Sequence, residues 1–251
     1  MRVILLPGMD GTGMLFRPFL QALGRQLPHD TAVQVISYPC EQELTYGQLI
    51  EYVKNRLPVQ ENFILVAESF SGPVGYALAS RQPNRIKAVI FAATFLSPPR
   101  GILWKIPPRL TAPLMKLPLP IFLLKALLFE RDTADETVAL FRAAVQQVQP
   151  SVLAARMREM ITLRIEKRPL EMPCVYIRAG HDRLISGSHT EEFRGIAPNI
   201  KVVDIPGPHF IIQTMPEECA KVVRETSRLC HPMSLPPQYW TNLEGKAQKN
   251  R

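Results

Sequence analysis

Six short apolar runs, at residues 3–6, 33–37, 63–67, 87–92, 174–179 and 201–205, constrain the fold of this 251-residue chain more than any other feature. They are rich in Val and Ile, and most are apolar throughout. A strand with one face in solvent alternates apolar and polar residues, whereas a strand buried on both faces, as in a parallel sheet, does not. Segments of helical period lie between them, at 16–26, 46–56, 72–81, 188–195 and 213–228. Parallel neighbours cannot be joined by a tight hairpin, so each connection has to cross over the sheet, and a helix is the usual crossover. The alternation predicts an α/β fold built on an open parallel sheet.

One interval breaks the rhythm. Residues 97–168 carry no strand signal; prolines chop their first part, and 121–129, 134–148 and 151–165 read as helices. Thr133-x-x-Glu136 has the spacing of a capping box, in which the threonine oxygen accepts a first-turn N–H and the glutamate reaches back. The expected organisation is a core over 1–96 and 169–230, a helical cap or lid over 97–168 at the carboxyl edge of the sheet, and a flexible tail over 231–251.

Composition removes several functional classes. The net charge is +8, but residues 97–168 hold 12 Lys and Arg against 6 Asp and Glu, while the rest apart from the tail is balanced. A basic segment without RNA-motif aromatics or zinc-finger spacing argues against nucleic acid. No apolar run approaches the roughly 20 residues of a transmembrane helix. The apolar start ends at Pro7-Gly8, short of the roughly 7–15 residues of a signal-peptide core, so cytoplasmic residence is the expectation. Four scattered cysteines (Cys40, Cys174, Cys219 and Cys230) lack metal-ligand spacing and read as free thiols. No metal or cofactor is called for.

The chemistry concentrates in Phe63-Ile-Leu-Val-Ala-Glu-Ser-Phe-Ser-Gly72-Pro73. A buried strand runs into small-x-Ser-x-small and straight on into a helix, the pattern of a nucleophile elbow. A turn that sharp strains the serine backbone, so the residues two before and two after must be small. Ala67 and Ser71 fill those places, and Pro73 suits a first helical turn. Helix onset aims the free N–H of Phe70 and the positive end of the dipole at the space above Ser69, as half of an oxyanion hole would require. The alternative is an ordinary strand–loop–helix turn.

Four segments in order resemble the α/β-hydrolase superfamily, and within it the small carboxylesterases similar to pimeloyl-carrier-protein methyl ester esterases. They are Leu5-Leu-Pro-Gly-Met-Asp-Gly-Thr-Gly13, the elbow at Ser69, Tyr176-Ile-Arg-Ala-Gly-His-Asp-Arg-Leu-Ile185 and Ile205-Pro-Gly-Pro-His-Phe210. The resemblance spans residues 3–229 and implies an α/β-hydrolase fold with Ser69 as nucleophile. Asp182 then stands as the orienting acid just past a strand, with Asp204 as competitor, and His209 as the general base in the loop after the last strand. The chain order Ser–Asp–His is that of the fold and sets aside His29, which precedes the elbow; His181 neighbours the acid, His189 should begin a surface helix, and His231 lies in the tail. The resemblance makes the Met9 N–H the second oxyanion donor. Pro7 stands where the family often has histidine, and Asp10 is the alternative donor. Glu68 either tunes the site or hydrogen-bonds backbone beneath the elbow. The family core usually has two further strands before the glycine loop, so either the sheet is reduced to about six strands or residues precede this start.

The expected activity is hydrolysis of a carboxylic ester or thioester of a small or acyl-chain substrate through an acyl-enzyme. Acyl transfer, C–C hydrolysis and perhydrolysis share the same triad, and a non-catalytic binding module shares the fold. The insertion offers an acyl pocket, with Trp104, Phe129, Phe141, Met157 and Met160 among its large apolar residues. Resemblance to carrier esterases adds an acidic acyl-carrier protein as partner, met by Arg142, Arg156 and Arg158, against the plainer reading of solvated arginines.

Overall fold

A computed structural model describes residues 1–81, 84–99, 122, 125 and 128–230. Among the described residues six strands form one sheet: β1 (Arg2–Leu6), β2 (Ala32–Val35), β3 (Phe63–Glu68), β4 (Ile86–Ala92), β5 (Cys174–Ala179) and β6 (Lys201–Ile205). Their order is β2-β1-β3-β4-β5-β6, and every neighbouring pair is parallel. Helices whose bounds lie among the described residues are α1 (Arg17–Gln26), α2 (Tyr46–Lys54), α3 (Gly72–Arg81), α4 (Asp135–Gln146), α5 (Pro150–Ile161), α6 (His189–Ile196), α7 (Ile211–Thr214) and α8 (Pro216–Leu229).

Both faces of the sheet are covered, which is why its strands read as solid apolar runs. Ile4, Leu6, Leu65, Ala67, Val89 and Phe91 pack with residues of α2, α3 and α6. Val3, Leu5, Ile64, Val66, Ala88 and Ile90 face the other way, onto α1 and α8. Burying each Val, Leu, Ile or Phe among them fully is worth roughly 1.5–3 kcal/mol, so the two apolar layers hold the sheet together. Gly75 lets α3 lie close to the sheet, since a Cβ there would come within 2.7 Å of the Ala67 Cβ.

The chain leaves β1 toward β2, then returns to the other side of β1 and continues outward from β3 to β6. The direction of winding therefore reverses between β1 and β3, and ligands of such sheets bind beyond the carboxyl ends of the strands at that reversal. Leu6 pairs with Ala67, so the loop after β1 and the turn after β3 emerge side by side.

Several details differ from the sequence reading. The helix expected over 213–228 is two helices, α7 and α8, broken at Met215, whose φ of −127° and ψ of 55° are not helical. Met215 precedes Pro216, and a proline ring pushes the residue before it out of the helical region. The capping box at Thr133 and Glu136 does not form, because the Thr133 hydroxyl accepts from the Glu130 N–H instead, at 3.1 Å. A capping box does form at Thr45 and Gln48, starting α2. The helix expected over 151–165 ends at Ile161. His189, expected to open a surface helix, is only 2 % exposed, with Nδ1 3.1 Å from Glu192 and its ring against Phe95. Within 97–168 no described residue lies in a strand. The expected helix over 121–129 lies mostly outside the described residues, as do Trp104 and the 231–251 tail. No helix among the described residues is long and apolar enough to cross a membrane.

Candidate active site

Strand β3 ends at Glu68, and Ser69 turns out of it with φ of +46°, a left-handed conformation rare for a residue with a side chain. A short 3-10 turn, Ser69–Ser71, leads directly into α3. Strain of this kind persists only where the surroundings over-determine it, at a cost of about 1–3 kcal/mol. Here the carbonyls of the turn are held from below. Thr94 donates its hydroxyl to the Ser69 carbonyl. Tyr46 Oη donates to Phe70 O at 3.0 Å, with its ring stacked on Phe70 at 4.8 Å. Ser71 donates to the Pro7 carbonyl and meets the Tyr38 hydroxyl. Gly72 makes room for Thr94, whose side chain would collide with any Cβ at that position.

Ser69 Oγ lies 2.8 Å from His209 Nε2, and His209 Nδ1 lies 2.8 Å from Asp182 Oδ2. Asp182 Oδ1 accepts the N–H groups of Leu184 and Ile185, each at 2.8 Å. A carboxylate can only accept, so Nδ1 donates to it and Nε2 keeps its lone pair for the serine hydroxyl. Backbone bonds fix the two loops to each other: the Gly180 N–H donates to Ile205 O and the His181 N–H to Gly207 O, both at 2.9 Å. The competitor Asp204 is exposed and paired with Arg178 instead. His29, His181 and His189 lie outside the hydrogen-bonded set at Ser69, and His231 lies outside the described residues.

Burial opposes charge on His209, but the Asp182 carboxylate beside it, with a smaller contribution from Glu68, raises its pKa overall. Glu68 is 3 % exposed and points beneath the elbow. Its Oε1 accepts from Gln213 Nε2 at 2.9 Å, and the Gly8 N–H also donates to its carboxylate. Burial pushes the Glu68 carboxyl up to about 7, against the opposing hydrogen bond from Gln213. A carboxyl that ionises near 4.5 when unfolded and near 7 when folded binds extra protons in the folded state between those values, so stability falls as pH rises through that window. By linkage the expected loss is on the order of 3 kcal/mol. In Glu68→Gln the fall in unfolding free energy between pH 5 and pH 8 should be smaller by that order, as read by denaturant melts at both pH values. A variant as pH-dependent as the parent would contradict the assignment.

The loop after β1 meets the same place. Gly8 sits against the elbow, so that a Cβ there would be 3.9 Å from the Ser69 Cβ. The Gly11 N–H donates to Gly8 O at 3.0 Å, closing a turn that carries Met9 and Asp10. Asp10 is buried and turned away from solvent, with Oδ2 accepting from the Thr12 N–H at 2.9 Å and from its hydroxyl.

Residues of the 97–168 interval close around these loops. Phe210, next to His209, stacks on Phe129 at 4.8 Å and meets Phe141 edge-on at 5.2 Å. Glu130 Oε1 lies 2.5 Å from His181 Nδ1. Arg156, offered by the sequence as a surface arginine for an acidic partner, is 4 % exposed and donates to three core carbonyls. The reading failed because nothing in the periodicity of α5 distinguishes a buried guanidinium from a solvated one. Thr94, Tyr38, Tyr46 and Gln213 were also missed. Of these only Gln213 left a signal, its place one helical turn beyond His209.

Among the described residues no three His, Cys, Asp or Glu side chains cluster as metal ligands would. The four cysteines are free.

Sheet order, elbow and loop arrangement together define an α/β-hydrolase fold. No family model matches the chain, and no curated protein matches it in sequence. Solved structures do. The chain is similar to a thermophilic esterase from Thermogutta terrifontis, with a TM-score of 0.75 and 20 % identity over 92 % of this chain and 90 % of that one. It is similar to the enol-lactonase from Burkholderia xenovorans LB400, with a TM-score of 0.70 and 14 % identity over 90 % and 91 % of the two chains. It also resembles the RedJ thioesterase from the prodiginine pathway of Streptomyces coelicolor, with a TM-score of 0.61 and 19 % identity over 90 % and 85 %.

Proposed function

We propose that this chain is a serine hydrolase that cleaves a carboxylic ester or thioester through Ser69, His209 and Asp182. The observation that carries the reading is the pair of 2.8 Å contacts linking hydroxyl, imidazole and carboxylate at the winding reversal of the sheet. In this reading His209 Nε2 takes the Ser69 proton as Oγ attacks the acyl carbonyl, and Asp182 holds the tautomer and stabilises the imidazolium. The N–H groups of Phe70 and Met9 receive the developing oxyanion. Each such donor is typically worth about 3–4 kcal/mol of barrier. His209 then returns the proton to the leaving group, and water activated by the same imidazole releases the acyl group.

The reading includes a cap over 97–168. It is supported by the contacts that Phe129, Glu130, Phe141 and Arg156 make with the loops bearing His209, Asp182 and Met9. Phe129, Phe141 and Phe210 would form an apolar wall beside the imidazole, suited to an uncharged acyl group. A small-molecule ester suffices as substrate: Arg156 is buried and Arg158 faces Glu43, so neither favours an acidic carrier protein.

The test is a panel of p-nitrophenyl esters of increasing acyl length with acyl-CoA thioesters beside it. Turnover should peak among the esters or thioesters at one acyl length and vanish in Ser69→Ala. A chain inactive across the whole panel would contradict the proposal.

A further inference from the structure

The glycine turn after β1 has no hydrogen-bonded ladder to hold it, yet each of its carbonyls from Gly8 to Gly11 is engaged. Gly8 O accepts from the Gly11 N–H at 3.0 Å. Met9 O and Asp10 O accept from one nitrogen of Arg156, Nη1, at 2.9 and 2.7 Å. The other nitrogen, Nη2, reaches Pro39 O at 2.8 Å, in the segment after β2, where the Tyr38 N–H also holds Gly11 O at 2.7 Å. In a trans peptide the N–H of a residue points opposite the carbonyl of the residue before it, so Gly8 O sets the direction of the Met9 N–H, and Met9 O and Asp10 O set those of Asp10 and Gly11. The guanidinium lies so close beneath the turn that a Cβ at Gly11, where φ is +71°, would come within 2.5 Å of Nη1.

We propose that Arg156 is a positioning residue for the oxyanion turn: carried by α5, its buried guanidinium fixes the Met9–Asp10 and Asp10–Gly11 peptides, and so seats the Gly11 N–H that holds Gly8 O and keeps the Met9 N–H facing the acyl oxygen. The inference rests on the hydrolase reading above. A planar fork suits this task, because two nitrogens serve carbonyls on two separate loops, whereas a lysine offers one point charge. Burying a cation here is tolerable because each contact is charge-assisted and the Asp10 carboxylate lies nearby. Seating of α5 and completion of the turn become one event, since the same side chain does both.

The test compares Arg156→Lys with Glu159→Gln in the full chain. Glu159, on the same helix, accepts the Tyr46 N–H at 2.7 Å and so also ties α5 to the core, away from the turn. With p-nitrophenyl butyrate, Arg156→Lys should lower kcat about 10- to 100-fold, as misplacement of an oxyanion donor does, with KM changed less than about threefold. The pH midpoint of the rising limb should stay in place, because the base is untouched. Glu159→Gln should keep kcat within about twofold. If Arg156→Lys does not fold, Arg156→Gln carries the test, since its amide can serve the carbonyls of one loop but not of both, and the same kcat loss is expected. Undiminished kcat in the folded variant, or an equal loss in Glu159→Gln, overturns the inference alone, provided the parent chain takes a fluorophosphonate label at Ser69. A parent chain that takes none overturns the hydrolase reading as well.

Discussion

Ser69→Ala is expected to lower kcat at least about a thousandfold on any ester the parent chain turns over, with the fold retained. The size of the loss follows from what surrounds the residue. Among the described residues the hydroxyls nearest the elbow are committed elsewhere: Ser71 to the Pro7 carbonyl and Tyr38, and Thr94 to the Ser69 carbonyl. On the proposed mechanism the oxyanion donors, substrate positioning and the His209 base would remain, but no nucleophile would be held against the acyl carbon. The side chain contributes one hydrogen bond, to His209, so thermal melting should separate lost chemistry from lost structure. Turnover within tenfold of the parent would remove Ser69 from the mechanism.

Asp182→Asn should be nearly as damaging, about 10³- to 10⁴-fold in kcat, for a reason written in its hydrogen bonds. Oδ1 accepts two backbone N–H groups, from Leu184 and Ile185, while Oδ2 faces His209 Nδ1. An asparagine has one oxygen, and the two fixed donors claim it. Its amide nitrogen then turns toward the imidazole and donates to Nδ1, which moves the ring proton to Nε2. In that tautomer the ring cannot accept the Ser69 proton. Loss of the Asp182 charge also removes the main influence that raises the His209 pKa, so residual activity should hold to lower pH. A variant with near-parental kcat and an unmoved pH profile would show that Asp182 does not orient the base.

The sheet was legible because burial on both faces writes itself as unbroken Val- and Ile-rich runs, and all six strands fall within two residues of those runs. The elbow was legible for a related reason: a strained turn between strand and helix admits few residue types, and Ala67, Ser69, Ser71 and Gly72 satisfy them. Family motif and position after a strand then singled out Asp182 and His209, and the structure brings His209 within hydrogen-bonding reach of both Ser69 and Asp182. What stayed hidden was contact between distant side chains and backbone. Arg156 serves carbonyls over a hundred residues away, and Thr94 reaches under an elbow 25 positions earlier. No local period encodes such pairs. The Thr133 capping box failed for the complementary reason: its spacing was right, but a neighbouring turn competed for the same oxygen.

The account depends on Ser69 being the activated nucleophile, and covalent trapping tests that most directly. The intact chain is treated with a fluorophosphonate at neutral pH, digested, and the modified residue located by mass spectrometry. The account predicts a single phosphonylated site, Ser69, with labelling lost in Ser69→Ala and slowed in Asp182→Asn. Label at another residue, or none in folded parent protein, would contradict it.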